Sequence, residues 1–314
     1  MVKTCMFFLF ILYMTPVNAS YEEAKAAYEQ GDYTAAYRGF LPEVEKGDAR
    51  AMYRLALLYR DGNGVSQDYA ESLKWAKLAA TKGLADPMVL LGYVYDMAEG
   101  VKQDHAEAVK WYRMGAEAGS VQGMFNLGAS YDLGQGIEQD YGEALKWYLM
   151  AANKGDSHAL LNIGTLYRDG KGVKQDYGEA LKWYRKGADK GDTKSMSNTG
   201  VIYEEGRGVK QDYAEAMKWF RKAADAEDTL AMTNVAQAYV RGRGVPQNFQ
   251  EALKWYRLAS DKGNVLAMKA LGEMYSQGLG VQKDAEQARR WQARAEEQEH
   301  KEMQYPSGGT TYSY

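Results

Sequence analysis

Cysteine is almost missing from this sequence, and histidine is scarce. The single cysteine, Cys5, lies among the first twenty residues of a 314-residue chain. The remainder can form neither disulfide bonds nor cysteine-ligated metal sites, so its stability must come from packing. The 3 histidines are His105, His158 and His300, and no two of them have the spacing of a metal-binding pair. The sequence accordingly predicts no metal and no cofactor.

An excess of basic residues is also missing. Lys and Arg together number 39, against 42 for Asp and Glu, which gives a formal net charge of −3. Strong binding to nucleic acid depends on clustered cations that neutralise phosphates. The composition therefore argues against a nucleic-acid partner.

Long apolar runs are missing as well, apart from one near the N-terminus. That run, at about residues 5–14, follows Lys3 and is too short to span a bilayer. Small residues, Val17 and Ala19, then occupy the two positions that a signal peptidase reads. We expect a signal peptide over residues 1–19, no membrane span after its cleavage, and a periplasmic or secreted location. The alternative is an uncleaved membrane anchor.

Tryptophan recurs with a fixed period. Each of the 7 tryptophans lies 36 residues after the one before it, as from residue 75 to residue 111. A period of this length is typical of repeat proteins, in which stacked copies of one supersecondary unit bury a continuous core. The series consists of Trp75, Trp111, Trp147, Trp183, Trp219, Trp255 and Trp291.

Each period carries the signals of two helices. In all seven units an Asp or Asn is followed three residues later by Glu or Gln, as with Asp176 and Glu179, which predicts a capping box at the start of the second helix. Glycine ends that helix in most units, as at Gly191, with Glu227 as the exception. The predicted fold is all-α, an α/α solenoid in which helix-turn-helix repeats form a right-handed superhelix.

The tryptophans have a structural interpretation. A small residue precedes each of them by three positions and another follows by four, as Ala180 and Gly187 flank Trp183 on one helical face. The first helix offers a matching small residue, such as Gly164. We therefore predict that all seven tryptophans are core residues, and not an exposed aromatic platform for sugars or bases. The lysine before six of them is expected to pair with the capping-motif glutamate.

The units resemble the Sel-one-like repeat, a relative of the tetratricopeptide repeat. The likeness rests on the pattern A-M-x-x-L-x-x-x-Y-x-x-G-x-G-V-x-Q-D-Y-x-E-A-L-K-W-Y-x-x-A-A-x-K-G, which covers about residues 47–296 in seven registered copies. This resemblance implies a protein-protein interaction scaffold that holds a protein or peptide on its helix-lined surface, often in the bacterial periplasm or outside the cell. It leaves open an immunity or inhibitor protein for an envelope-acting toxin, and a host-directed virulence or adhesion factor.

The repeats also divide the chain. Seven repeats occupy residues 48–299. Residues 20–47 lack the tryptophan but carry two apolar helical faces, and we interpret them as a tetratricopeptide-like hairpin that caps the array. Residues 300–314 are polar and follow a highly charged helix end, so we expect a disordered tail.

One column of the first helices suggests where a partner binds. Four successive repeats carry asparagine at the same position. An amide can donate to and accept from a peptide backbone at once, so such a row can hold an extended chain without reading its side chains. The alternative is that these amides bond the backbone of the neighbouring repeat. The four are Asn126, Asn162, Asn198 and Asn234.

The sequence gives no support to an enzyme. None of the three histidines has a thiol partner, and no serine lies in a nucleophile-elbow motif. Some relatives with a cysteine pair in each repeat have been proposed to bind or hydrolyse cell-wall-like ligands, but this chain lacks those cysteines. We expect a non-enzymatic protein.

Overall fold

The computed structural model describes residues 20–304, and the regular structure in that range is entirely α-helical. The predicted signal peptide and residues 305–314 of the predicted tail lie outside the described residues. The sixteen helices of residues 20–304 are α1 Tyr21–Glu29, α2 Tyr33–Glu45, α3 Ala49–Asp61, α4 Tyr69–Thr81, α5 Ala85–Met97, α6 His105–Glu117, α7 Val121–Leu133, α8 Tyr141–Asn153, α9 Ser157–Asp169, α10 Tyr177–Asp189, α11 Thr193–Glu205, α12 Tyr213–Asp225, α13 Thr229–Arg241, α14 Phe249–Asp261, α15 Val265–Gln277 and α16 Ala285–Gln304.

The chain divides into two compact units between Asp140 and Tyr141. Unit 1 contains α1 to α7, and unit 2 contains α8 to α16. Within each unit, consecutive helices pack side by side. One repeat consists of a 13-residue helix, a seven-residue turn, a second 13-residue helix and a three-residue turn, as from α3 to the start of α5. The all-α solenoid predicted from the period is confirmed.

The seven-residue turn is held by a glycine and a glutamine. After α9, Gly170 has a φ of +68°, a left-handed conformation that glycine adopts at little cost. Gln175 then donates its side-chain amide to the carbonyl of Arg168 at 2.7 Å. The turn is thus closed by one of its own side chains. The same contact recurs at Gln67, Gln103, Gln139, Gln211 and Gln247.

The second helix begins with only half of the predicted capping box. The Asp176 carboxylate accepts from the backbone N–H of Glu179 at 2.9 Å. The Glu179 side chain does not return to Asp176, because the Asp176 N–H donates to the carbonyl of Tyr167 at 2.9 Å. Glu179 pairs with Lys182 instead, at 2.5 Å. This glutamate–lysine pair is present in all six units for which it was predicted.

The last helix is longer than the sequence predicted. Residues 300–304 belong to α16, which ends at Gln304, so the prediction of disorder was wrong for these five residues. Glu299 takes the place of the terminating glycine, and the helix therefore continues through it. An ion pair between Lys301 and Glu297, at 2.7 Å, adds a small stabilisation to the final turns.

The most deeply buried ring in most repeats is not the tryptophan but the residue after it. Tyr184 is 0% exposed and lies against Gly164 of α9. A Cβ on Gly164 would be 2.6 Å from the Tyr184 ring, so only glycine permits this approach. Burial raises the pKa of the Tyr184 hydroxyl. Equivalent contacts join Tyr112 to Gly92 and Phe220 to Gly200.

Most of the tryptophans lie at the margin of this core, which narrows the predicted assignment. Neighbouring helical residues point about 100° apart, so only one of two adjacent rings can face the first helix. Lys186 covers Trp183, with its Nζ 3.9 Å from the ring centre. The seven tryptophans, all predicted to be core residues, are therefore not equivalent in burial. Trp147 and Trp219 are buried, whereas Trp75, Trp111, Trp183, Trp255 and Trp291 are only partly buried.

Truncation of the two neighbouring rings tests this correction. Tyr184→Ala should lower the free energy of unfolding by about 3–5 kcal/mol, because it leaves a cavity against Gly164. Trp183→Ala should cost roughly half as much, since part of the indole is already in water. Urea unfolding followed by circular dichroism gives both values. A larger loss for Trp183→Ala would return the tryptophan to the centre of the core.

The turn after α12 contains a strained residue. The six terminating glycines have φ between +85° and +103°, and Glu227, which takes their place after α12, has a φ of +67°. A side chain in this left-handed region costs about 1–2 kcal/mol. Glu227 pairs with Lys262 at 3.2 Å. Because the Glu227 side chain is 76% exposed, the pair stabilises the fold by only about tenths of a kcal/mol. The strain outweighs the ion pair.

Glu227→Gly should therefore raise the free energy of unfolding by about 1 kcal/mol. Gly191→Glu is the matched control in the preceding repeat, where no atom lies within 4 Å of an added Cβ. The free energy of unfolding of this control variant should fall by a similar amount, through backbone strain alone. Urea midpoints measure both, and a loss of stability in Glu227→Gly would contradict the argument.

Candidate partner-binding site

The four predicted partner-binding asparagines do not share one environment. Asn126, on α7 of unit 1, is 1% exposed, and its Oδ1 accepts from Gln122 at 2.8 Å. The side chain one turn earlier thus covers it, and Asn126 is not available to a partner. Asn162, Asn198 and Asn234, on α9, α11 and α13 of unit 2, are each partly exposed.

The three exposed asparagines have free side-chain amides. Among the residues that the structure describes, the side chains of Asn162, Asn198 and Asn234 have no hydrogen-bond partner. They do not bond the backbone of a neighbouring repeat, which was the structural alternative. Their donors and acceptors remain open to a ligand.

Two of these asparagines line one groove, which we call the α11 groove. Its volume is about 390 Å³, and it lies within unit 2. The structure brings Asn162 and Asn198 together there, whereas Asn234 lies outside it. The α11 groove is formed by Leu161, Asn162 and Thr165 of α9, Lys194, Ser197 and Asn198 of α11, and Asp228, Thr229 and Leu230 at the start of α13.

One residue that lines the α11 groove departs from the pattern of the earlier repeats. Ser197 occupies a position at which the first four repeats carry a larger, mainly apolar side chain. It is 5% exposed, and its hydroxyl has no hydrogen-bond partner among residues 20–304. A larger side chain at this position would fill part of the groove. The residues of the earlier repeats are Tyr53, Val89, Phe125 and Leu161.

The same helix carries two further polar residues in its core. Thr199 is 0% exposed at a position that is Leu, Ile or Val in the other six repeats. Its hydroxyl donates to the carbonyl of Ser195 at 2.8 Å, while the Ser195 hydroxyl has no partner in the described part of the chain. A buried hydroxyl without a partner costs about 1–3 kcal/mol. α11 thus buries three side chains that carry hydroxyl groups. The sequence contained this signal, but the asparagine column alone did not reveal it.

Charges of both signs face the α11 groove. Lys194 forms no ion pair with any described residue. Asp228 caps α13, with its carboxylate accepting from the backbone N–H of Ala231 at 2.7 Å. Because one cation and one carboxylate are present, the groove has no net preference for a charged ligand.

The histidines do not form a metal site. His105 lies 2.5 Å from Asp96, measured from Nδ1 to Oδ1, and Asp96 also accepts from the Tyr112 hydroxyl at 3.3 Å. This pair fixes the orientation of His105 against a buried carboxylate. In residues 20–304, no group of three or more His, Cys, Asp or Glu side chains is placed to hold a metal ion.

The described part of the chain also contains no helix with the length and apolar character needed to cross a bilayer.

The fold and its grooved first-helix surface place the chain among the α-solenoid repeat proteins. The family model for the Sel1 repeat matches residues 49–84, 88–120, 121–156, 157–192, 193–228, 229–264 and 265–300. The chain therefore belongs to the Sel1 repeat family, as the repeat pattern indicated. Proteins of this family are generally non-catalytic scaffolds for protein interaction.

Two solved structures are similar over most of the chain. One is c5321, a protective antigen of uropathogenic Escherichia coli strains, with 33% identity and a TM-score of 0.78 over 86% of this chain. This chain spans 58% of the length of that antigen. The other is a Sel1 repeat protein from Oxalobacter formigenes, with 33% identity and a TM-score of 0.70, covering 78% of this chain and 96% of that one. A search of curated proteins gave no match.

Proposed function

We propose that this protein is a non-enzymatic scaffold that binds an extended segment of a partner protein along the first helices of unit 2. The observation that carries the proposal is the α11 groove, in which Asn162 and Asn198 present free amides. Free donors and acceptors at a groove match the needs of a peptide backbone, which must keep its N–H and C=O groups bonded when it leaves water.

The surroundings of the two amides support an extended ligand. They lie at the same position of two first helices, one repeat apart, so they can contact the same chain at two points. Leu230, which is 49% exposed, gives the groove apolar surface for burial beside these polar contacts. Apolar contact supplies affinity, and the amides fix the direction of the bound chain.

We further propose a location in the cell envelope or outside the cell. The support is the signal-peptide pattern of residues 1–19 in the sequence. The similarity to a protective antigen of Escherichia coli is compatible with this location.

Removal of the two amides tests the proposed function. Peptides are first selected from a random library on the full chain. Their affinity should fall at least tenfold in the Asn162→Ala/Asn198→Ala variant, because backbone hydrogen bonds worth about 1 kcal/mol each are lost. Fluorescence polarisation gives the affinities, and urea unfolding should give an unchanged midpoint, since the two side chains bond no other residue.

Asn153→Ala is the matched control, because Asn153 is exposed, lies in the same unit and belongs to a second helix. It should bind the selected peptides as wild type does. Equal binding by Asn162→Ala/Asn198→Ala would contradict the proposed site.

A further inference from the structure

We infer that residues 305–314, which we call the tail segment, bind in the α11 groove of the same molecule and compete there with a partner. The inference rests on the function proposed above, because it concerns the same groove and the same two asparagine amides. Three observations support it. A second groove connects the end of α16 with the α11 groove, the tail segment is long enough to follow this path, and it carries no charged side chain.

The second groove lies beside the last helix, and we call it the α16 groove. Its volume is about 360 Å³, and it lies between Thr229 of α13, Leu266 of α15, and Gln298 and Glu302 of α16. Thr229 lines the α11 groove as well, so the two grooves are neighbours along the starts of the first helices of unit 2. An extended chain that lies in one groove can therefore continue into the other.

The helix α16 ends beside this path. Glu302, in its last turn, lines the α16 groove, and Gln304 is the last residue of the helix. An ion pair between Glu299 and Lys269, at 2.6 Å, holds this part of α16 against α15. The tail segment therefore starts at one end of the path that leads to the α11 groove.

The tail segment is long enough to cover the path. Packed helices lie about 8–10 Å apart, and α11 is two first helices away from α15, so the distance between the two is about 20 Å. Ten extended residues span up to about 33 Å. The tail segment can therefore reach Asn198 on α11. Gly308 and Gly309 have no side chains that would keep their backbone away from the asparagine amides.

The charges of the two grooves favour an uncharged ligand. The α11 groove presents Lys194 and Asp228, and the α16 groove presents Lys262 and Glu302. An acidic or a basic side chain would face a like charge in either groove. The sequence YPSGGTTYSY of the tail segment contains neither. It therefore avoids both conflicts along the whole path.

The composition of the tail segment also suits the contacts that the grooves offer. Its backbone and hydroxyl groups can donate to and accept from the free amides of Asn162 and Asn198. Its tyrosine and proline rings can cover Leu230 and Leu266, which are exposed in the described part of the chain. The two leucines lie one repeat apart, in the α11 groove and the α16 groove respectively.

The covalent link makes weak binding sufficient. A short flexible connection gives a linked segment an effective concentration of about 1 mM. A segment that binds with a dissociation constant of about 100 μM would then occupy the groove in about nine of ten molecules, and it would weaken a competing peptide about tenfold. A partner must therefore displace the tail segment before it binds.

A synthetic peptide of residues 305–314 is the probe. Its binding to the full chain is compared with its binding to a chain that stops at Gln304, by nuclear magnetic resonance titration. The peptide should bind the shortened chain with a dissociation constant of about 100 μM and the full chain about tenfold more weakly. In the shortened chain, Asn162→Ala/Asn198→Ala should weaken the peptide at least tenfold, whereas the control Asn153→Ala should leave its affinity unchanged.

A second measurement needs no added peptide. The side-chain NH₂ signals of Asn162 and Asn198, assigned with single alanine variants, should differ between the full chain and the shortened chain. The signal of Asn153 should be the same in both, because it lies on a second helix, outside both grooves.

The outcomes separate this inference from the function on which it rests. It would be overturned by a peptide that binds the full and shortened chains equally, that does not bind the shortened chain, or that binds it equally well without the two asparagines. If library-selected peptides still lose affinity in Asn162→Ala/Asn198→Ala, the proposed function stands without it. If only the tail peptide depends on the asparagines, the intramolecular contact stands and partner binding at the groove is rejected.

Discussion

The contact between an aromatic ring of the second helix and the bare backbone of the first helix is the interaction on which the repeat depends. In three repeats the ring lies where even a single Cβ on the facing glycine would collide with it. The two residues therefore depend on each other. The ring fills the space that the glycine leaves, and the ring can be fully buried because the glycine has no side chain. Stability is spread over packing contacts in several repeats, and no disulfide bond is available to replace them.

This arrangement leaves part of each first helix free to vary. The buried face must carry the glycine and its apolar neighbours, while the outer positions need only be compatible with a helix. α11 goes further, because Ser195, Ser197 and Thr199 bring hydroxyl groups into positions where other repeats are mainly apolar or small. These buried hydroxyl groups are concentrated in one helix, and that helix also lines the groove. Local rules are commonly broken at functional sites, where another gain offsets the loss.

The helix pattern was predictable because it depends on local chemistry. Asp176 and its equivalents cap the second helices, and glycine ends most of them, in agreement with rules that need no knowledge of the tertiary structure. The second hydrogen bond of the capping box, from the backbone N–H of Asp176 to the glutamate side chain, is missing for a nonlocal reason. That N–H donates to the carbonyl of Tyr167 in the preceding helix instead. The predicted start of the tail at residue 300 was wrong, because Glu299 does not end a helix as glycine does. The helix α16 therefore continues beyond it.

The sequence by itself determined the repeat, its length, its two-helix unit and the family, because a 36-residue period records the spacing of equivalent contacts. It could not determine which of two adjacent rings faces the first helix, because Trp183 and Tyr184 have the same period and differ only by a rotation about the helix axis. It also could not separate Asn126 from Asn162 and Asn198, which share a column in the sequence. Only the tertiary structure decided that one is covered by Gln122 and that the other two meet at a groove that Ser197 also lines. The exposure of a side chain depends on its neighbours. These neighbours differ between repeats even where the residue at the position itself is the same.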